Sequence, residues 1–495
     1  MPTRLTALGT SLVCMLTLAS NSGAQPQGPR SPRNANYTIT ARLDARSHTI
    51  KAQERITWRN ITNAPTSELQ FHVYWNAWAD TKSTWMKEKR RSQELDRPSA
   101  DFSRIDISSI QLLGTTPQSL TNRRFIAPDD GNADDRTVMT VALPAPVSPG
   151  QTIEVSLDWT ATVPRTFDRT GVIGNYFFIA QWFPKLGVLE DSGWNTHQFH
   201  SGTEFYSDYG VYDVSLAVPS GWVVGATGSE QSRTDNNDGT TTHRFVQEDV
   251  HDFAWTTSPD FIERTARFDE AGLPPVQMRL LIQPEHLGQT ERHFAATRST
   301  LRRYGSWFGP YPFGHLTIVD PAFQSDTGGM EYPTLFTAGT QWLVARQVTL
   351  QTPEEVVIHE AGHQFWYSIS GNNEFEHAWM DEGINTYAAA RALSLDYPEM
   401  HLDRYYFGGF VPWVFKDVRF SRETDLNRIW RYRAGPTDDT MGAASYRQRP
   451  ETIGVLAYDK PAVWLNTLER WLGWTAVQAA MHAAFTEASF RHPDP

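Results

Sequence analysis

Residues 359 to 363 read His359-Glu360-Ala361-Gly362-His363, and after 18 further residues the chain presents Trp379-Met380-Asp381-Glu382-Gly383. On a helix, two side chains four apart project from one face. A carboxylate returning from the next helix, Glu382, completes a set of two imidazoles and one carboxylate. Three such ligands leave one coordination position open, whereas closed structural zinc sites are usually rich in Cys. The pattern therefore predicts one Zn2+ ion held by His359, His363 and Glu382, with Glu360 beside it as a general base.

H-E-x-x-H alone recurs by chance, so its surroundings matter. Thr352-Pro353-Glu354-Glu355 has the residues of a helix start: a capping Thr, Pro at the first helical position and a capping-box Glu. Val356, Val357 and Ile358 lead into the two His, and Gly371-Asn372-Asn373 offers a stop, which would place the motif in mid-helix. Glu382 is expected on a second helix from Asp381 to about Leu393. A third ligand delivered as Gly-x-x-His is excluded, because Trp366 and Ile369 stand where Gly and His would be required.

The 495 residues carry a formal charge of −12 and no basic run, which argues against nucleic acid as a partner. With 40% hydrophobic residues, the chain can bury cores for two or three domains. Met1-Pro2-Thr3-Arg4, the apolar Leu5 to Ala19 and Ser22-Gly23-Ala24 read as a secretory signal (residues 1–24) cleaved near Ala24. The apolar part is too short and interrupted for a stable membrane span. The single cysteine, Cys14, lies inside it, so the mature chain has neither disulfides nor thiolate ligands. An exported chain without disulfides points to a bacterial periplasm or exterior.

Residues 25–36, with four Pro or Gly, read as a disordered lead. From Tyr37 the texture becomes alternating, at 37–43, 55–60, 69–74, 137–143, 152–159, 212–218 and 243–245, so residues 37–262 are expected to form an antiparallel β-domain. Helical periodicity begins at Leu287 to Phe308, with Phe294, Leu301, Tyr304 and Phe308 on one stripe, and opens a second domain at 263–495. A strand at 315–319 then leads to Gly328-Gly329-Met330-Glu331-Tyr332, where paired glycines permit close approach of a ligand beside a carboxylate.

These residues together resemble the aminopeptidase N family of zinc metallopeptidases, peptidase family M1, in its shorter exported bacterial members. His359, Glu360, His363 and Glu382 match its zinc signature without a gap. Gly328-Gly329-Met330-Glu331-Tyr332 is similar to its Gly-x-Met-Glu-Asn motif, with Tyr332 in place of Asn. Ala457-Tyr458-Asp459-Lys460-Pro461-Ala462 resembles its Tyr-x-Lys-Gly-Ala motif, with Pro461 in place of Gly. The resemblance covers most of residues 37 to 490. It implies an α+β multidomain fold: a saddle-like N-terminal β-domain followed by a thermolysin-like catalytic domain, incomplete at its C-terminal helical end.

It further implies an aminopeptidase acting on peptides with a free N-terminus. Glu331 would bind the α-amine, with Gly328, Gly329 and Met330 around it, Tyr458 would stabilise the oxyanion, and Gln181 would line the first substrate pocket. Tyr446 is a rival for Tyr458. A zinc endopeptidase, a non-peptide hydrolase or a catalytically idle binding scaffold of the same fold are the alternatives. His197 and His200 read as surface or turn residues, Trp58, Trp222, Trp255 and Trp471 as core, and Asp320, Asp326 and Asp381 as possible partners of the ligand imidazoles. Oligomeric state is not legible.

Overall fold

The computed structural model describes residues 28–92, 98–325, 327–339, 352–397, 428–435 and 438–495. The signal segment and Asp326 lie outside these residues. The expected α+β multidomain architecture is present.

The N-terminal strands alternate as a half-buried sheet demands. Ala35–Asp44 buries every second residue, so Tyr37, Ile39, Ala41 and Leu43 face inward. Thr49–Arg59 pairs with it antiparallel and continues the alternation. These two strands sit in the middle of an eight-stranded sheet. One expectation is corrected: the sheet is not wholly antiparallel, because Ala35–Asp44 runs parallel to Gly210–Pro219, with Tyr37 opposite Tyr212. No hairpin links those strands, and before returning the intervening chain builds one further four-stranded sheet and supplies two strands of another.

An aromatic layer fills the space between the sheets. Trp58, Trp159, Trp182 and Trp255 are all buried there, Trp182 meeting Trp159 and Trp255 edge to face. Lys185 is wholly buried and sits 2.7 Å from Asp252, so a charge that burial disfavours is kept by its partner.

From Ile262 the chain forms a five-stranded mixed sheet. Its order is Ile262–Phe268, Val276–Ile282, His315–Val319, Leu335–Ala338 and, outermost, Gly329–Tyr332. The helix Thr290–Trp307 buries Phe294, Leu301 and Tyr304, with Phe308 at its end, as the stripe requires. It begins later than the periodicity suggested, because Pro284–Gln289 is a tight 3-10 segment.

Helices Lys460–Leu472 and Trp474–Ala488 are joined at Gly473, whose φ of +84° suits glycine. Trp471, read as core, is 79% exposed. The buried face of its helix covers Ala462 and Leu465, and the final turn outruns that packing. Among the described residues, no helix is long and apolar enough to cross a membrane.

Candidate active site

The helix Thr352–Gly362 supplies His359 and Glu360, but it ends where the motif ends. His363 follows on a turn, and its N–H still donates to the His359 carbonyl at 3.2 Å, which keeps the two imidazoles on one side. The expected mid-helix position and stop near Gly371 are thus corrected. A Cβ at Gly362 would stand 2.0 Å from Asn385 Oδ1, so the helix Ile384–Asp396 packs closely against the chain here. Beyond it, Tyr367 takes φ +118°, an outlier for an aromatic residue. The N-terminal domain secures this loop: Tyr209 Oη donates to the Ile369 carbonyl at 2.9 Å, and His251 Nε2 donates to the Tyr367 carbonyl at 3.0 Å.

Glu382 arrives on a π-turn, Trp379–Gly383, just before the helix Ile384–Asp396 rather than inside it. Tyr458 sits on a second π-turn, Val455–Asp459, before the helix that starts at Lys460. Such turns recur at functional sites because they displace one side chain from the helical register. The two turns touch: a Cβ at Gly383 would lie 2.1 Å from Pro461 Cγ, so Pro461 fills a surface that Gly383 leaves open. Tyr458 Oη donates to Glu382 Oε1.

His359 Nε2 lies 3.1 Å from His363 Nε2 and 3.1 Å from Glu382 Oε2, and His363 Nε2 lies 3.2 Å from Glu382 Oε2. Ligands on a tetrahedral zinc with bonds of about 2.0–2.1 Å are separated by roughly 3.3 Å, so this donor triangle has the size of a zinc site. Its tautomer is right as well. His363 Nδ1 is 2.9 Å from the Trp366 carbonyl and donates to it, leaving the Nε2 lone pair directed at the triangle. Asp381 stands behind that bond, its Oδ2 at 3.9 Å from His363 Nδ1 and its Oδ1 accepting from Asn372 Nδ2 at 2.9 Å. Asp320 belongs elsewhere, paired with His286 at 2.8 Å.

Carboxylates crowd the cavity. Burial pushes Glu360 up to about 8, against the pull of His363 and with the help of Glu382. Burial also drives Glu331 well above the ordinary carboxylate range, opposed by His363 and reinforced by Glu360. Glu382 goes the other way: burial would raise it, yet the imidazoles of His363 and His359 hold it far below. Such an excess of buried negative charge suits a divalent cation.

Glu360 leans on the outer strand, where a Cβ at Gly329 would fall 1.8 Å from its Oε1; its Oε2 is buried without a hydrogen-bond partner. Glu331 is 3% exposed, its Oε1 is likewise unpartnered, and it reaches 3.9 Å from His363 Nε2. The Gly328 carbonyl accepts from Gly339 N and Thr337 Oγ1, which fixes the start of that strand. Tyr332 packs its ring on Phe178 at 5.6 Å, and its carbonyl accepts from Gln364 Nε2 at 2.9 Å.

Other expected residues have partners of their own. The Gln181 amide donates to Asp252 at 2.6 Å and accepts from Lys185 at 2.8 Å, so the buried ion pair takes up both its polar atoms. Tyr446 packs its ring at a tilt against His197, with ring centroids 4.3 Å apart. His197 and His200, read as surface or turn residues, are 8% and 5% exposed and share Asp129, with Glu376 and Glu88 as further partners. Their spacing carried no sign of this, since Asp129 and Glu376 come from distant segments. Sequence reasoning also missed Asn385, Arg169 and Glu204, all brought to the site by tertiary packing.

The helix pair and the outer strand bring His359, His363 and Glu382 together as a group able to hold a metal ion. Residues 293–493 match the model of the peptidase family M1 domain. The fold is that of the M1 zinc metallopeptidase of Deinococcus radiodurans, with TM-score 0.59 over 94% of this chain and 89% of that one, at 17% identity. Among curated proteins, Leucine aminopeptidase 2 of Neosartorya fischeri is 25% identical over 226 residues, 44% of this chain and 34% of its own length. Aminopeptidase 2 of Candida albicans is 31% identical over 206 residues, 40% of this chain and 20% of its own length. The chain thus spans about a third or less of these curated relatives.

Proposed function

We propose that this protein is a zinc aminopeptidase that removes the first residue of peptides with a free N-terminus. The observation that carries the reading is Glu331, a buried carboxylate with an unpartnered oxygen, 3.9 Å from a ligand imidazole. A carboxyl group so close to the metal triangle gains a partner when a charged amine enters and is left unpaired beside an uncharged chain continuing past it. Relatives agree in kind: the Deinococcus radiodurans M1 peptidase has been solved with a Tyr-Ser-Ala substrate, and the curated relatives are aminopeptidases.

His359, His363 and Glu382 would hold the zinc, which when bound supplies Lewis acidity and lowers the pKa of a coordinated water. Glu360 takes a proton from the attacking water and passes it to the leaving amine. Tyr458 turns its hydroxyl from Glu382 to the carbonyl oxygen of the scissile bond, where negative charge develops. Glu331 pairs with the α-ammonium and sets the register, and Gly329 admits Glu360 to the same edge.

The reading requires metal and base together. Chelation should abolish release of N-terminal residues, zinc should restore it, and Glu360→Gln should be inactive while still binding one zinc per chain. Undiminished turnover by Glu360→Gln would refute the mechanism. Export to a periplasm or the exterior is part of the proposal, supported by the apolar segment Leu5 to Ala19 ahead of the small residues Ser22-Gly23-Ala24. Detection of a mature chain beginning near Gln25 outside the cytoplasm would test it.

A further inference from the structure

The N-terminal domain reaches the amine site through one strained turn. Phe167 and Thr170 exchange backbone hydrogen bonds of 2.9 and 3.0 Å, and the two residues between them, Asp168 and Arg169, have φ of +37° and +76°. Turns with two positive φ values favour Asn and Gly, so a long cationic residue here is strained. What the strain achieves is placement. Both terminal nitrogens of Arg169 donate to the carboxylate of Glu204 in a bidentate pair, and Nη1 also lies 3.0 Å from Met330 Sδ. The Arg169 carbonyl accepts from Thr327 Oγ1 at 3.3 Å.

Thr327 and Met330 bracket the glycines of the outermost strand of the catalytic sheet, Gly329–Tyr332. That strand has a sheet neighbour on one side only, yet it must hold Glu331 steady. A planar guanidinium fixed in a fork is a suitable brace, because little side-chain freedom remains once both hydrogen bonds form. Burial disfavours the charge on Arg169, and Glu204, Asp168 and the field of Glu331 more than restore it.

We propose that Arg169, locked by Glu204, is a positioning residue of the amine site: it braces the outer strand at Met330 and Thr327 and thereby sets the depth at which Glu331 meets the substrate amine. This rests on the reading of Glu331 given above. The simpler role, an ion pair that only joins two domains, would change stability without a selective effect on substrate binding.

The test compares Arg169→Met, Arg169→Lys and the double variant Arg169→Met/Glu204→Gln, the last because it leaves no unpaired buried carboxylate. Melting temperature, KM and kcat for a free-amine tripeptide are measured on the zinc-loaded protein. The Kd of the same tripeptide is measured by calorimetry in a Glu360→Gln background. KM and Kd should rise about tenfold in Arg169→Met and in the double variant, with kcat within about threefold of the parent and partial recovery in Arg169→Lys. Unchanged KM and Kd in folded variants, or KM and kcat shifting only in step with the melting temperature, would overturn the proposal. If the parent itself fails to prefer free over acetylated peptide, the amine reading falls and this role with it, a result distinct from an Arg169 variant that behaves as the parent.

Discussion

Asn385 Nδ2 donates to the backbone carbonyl of His359 at 2.7 Å, tying the helix that follows Glu382 to the helix that carries the first ligand. Tyr304 Oη completes the contact by donating to Asn385 Oδ1 at 2.8 Å. Asn385→Ala removes the strut between two ligand-bearing segments while leaving every ligand in place. Zinc affinity should fall roughly 10- to 100-fold, as for other supports behind ligands, and stability by about 1–3 kcal/mol from the orphaned buried groups. Competition titration with a chelator and denaturant melts check the two effects.

Gly329→Ala addresses the base. The backbone at this strand position tolerates any residue, so the penalty comes from the Cβ that would meet Glu360 Oε1 at 1.8 Å. Glu360 must then shift, and a displacement of about 1 Å costs on the order of 10² in kcat. Bound zinc, measured by atomic absorption, should stay at one per chain.

Tyr458→Phe keeps the ring and deletes the hydroxyl. If that hydroxyl donates to the developing oxyanion, kcat falls by about 10²–10³ and KM moves little. Steady-state kinetics on one tripeptide decide it, and a loss confined to KM would assign Tyr458 to binding instead.

His200 provides a pH signature away from the metal. Burial alone would lower it, but hydrogen bonds to Asp129 and Glu88 raise it to about 9. A raised folded-state value means stability that is fully present below the unfolded value near 6.5 and is lost as pH rises through about 9. Asp129 is the mirror case: burial would raise it, the bonds to His197 and His200 lower it, and its contribution is lost only in acid. The melting temperature should therefore decline between about pH 7 and pH 9.5, and His200→Gln should flatten that decline. Calorimetry across the range measures it.

What could be read in the chain follows from the range of the interactions. The imidazoles of His359 and His363 are neighbours through one helical turn, and alternation in Tyr37 to Leu43 reports a local pleat, so both were legible. The third ligand was legible through its spacing. Three features depend on segments far apart in the chain and left no mark on local pattern: Arg169 against Glu204 and Met330, the shared Asp129 between His197 and His200, and the close packing of Asn385 on Gly362. Trp471 misled because periodicity reports a face, and only packing tells whether anything covers it. Gln181 was carried over by resemblance, whereas its amide is engaged by Lys185 and Asp252.

The central claim is that Glu331 reads a free amine. The most direct measurement is the ratio of kcat/KM for a tripeptide with a free N-terminus to that for its N-acetylated twin, in the parent and in Glu331→Gln. The account predicts a ratio of about 10² or more in the parent, consistent with loss of a buried charge pair, and most of it gone in Glu331→Gln. Equal cleavage of both peptides by the parent, or an undiminished ratio in Glu331→Gln, would contradict it.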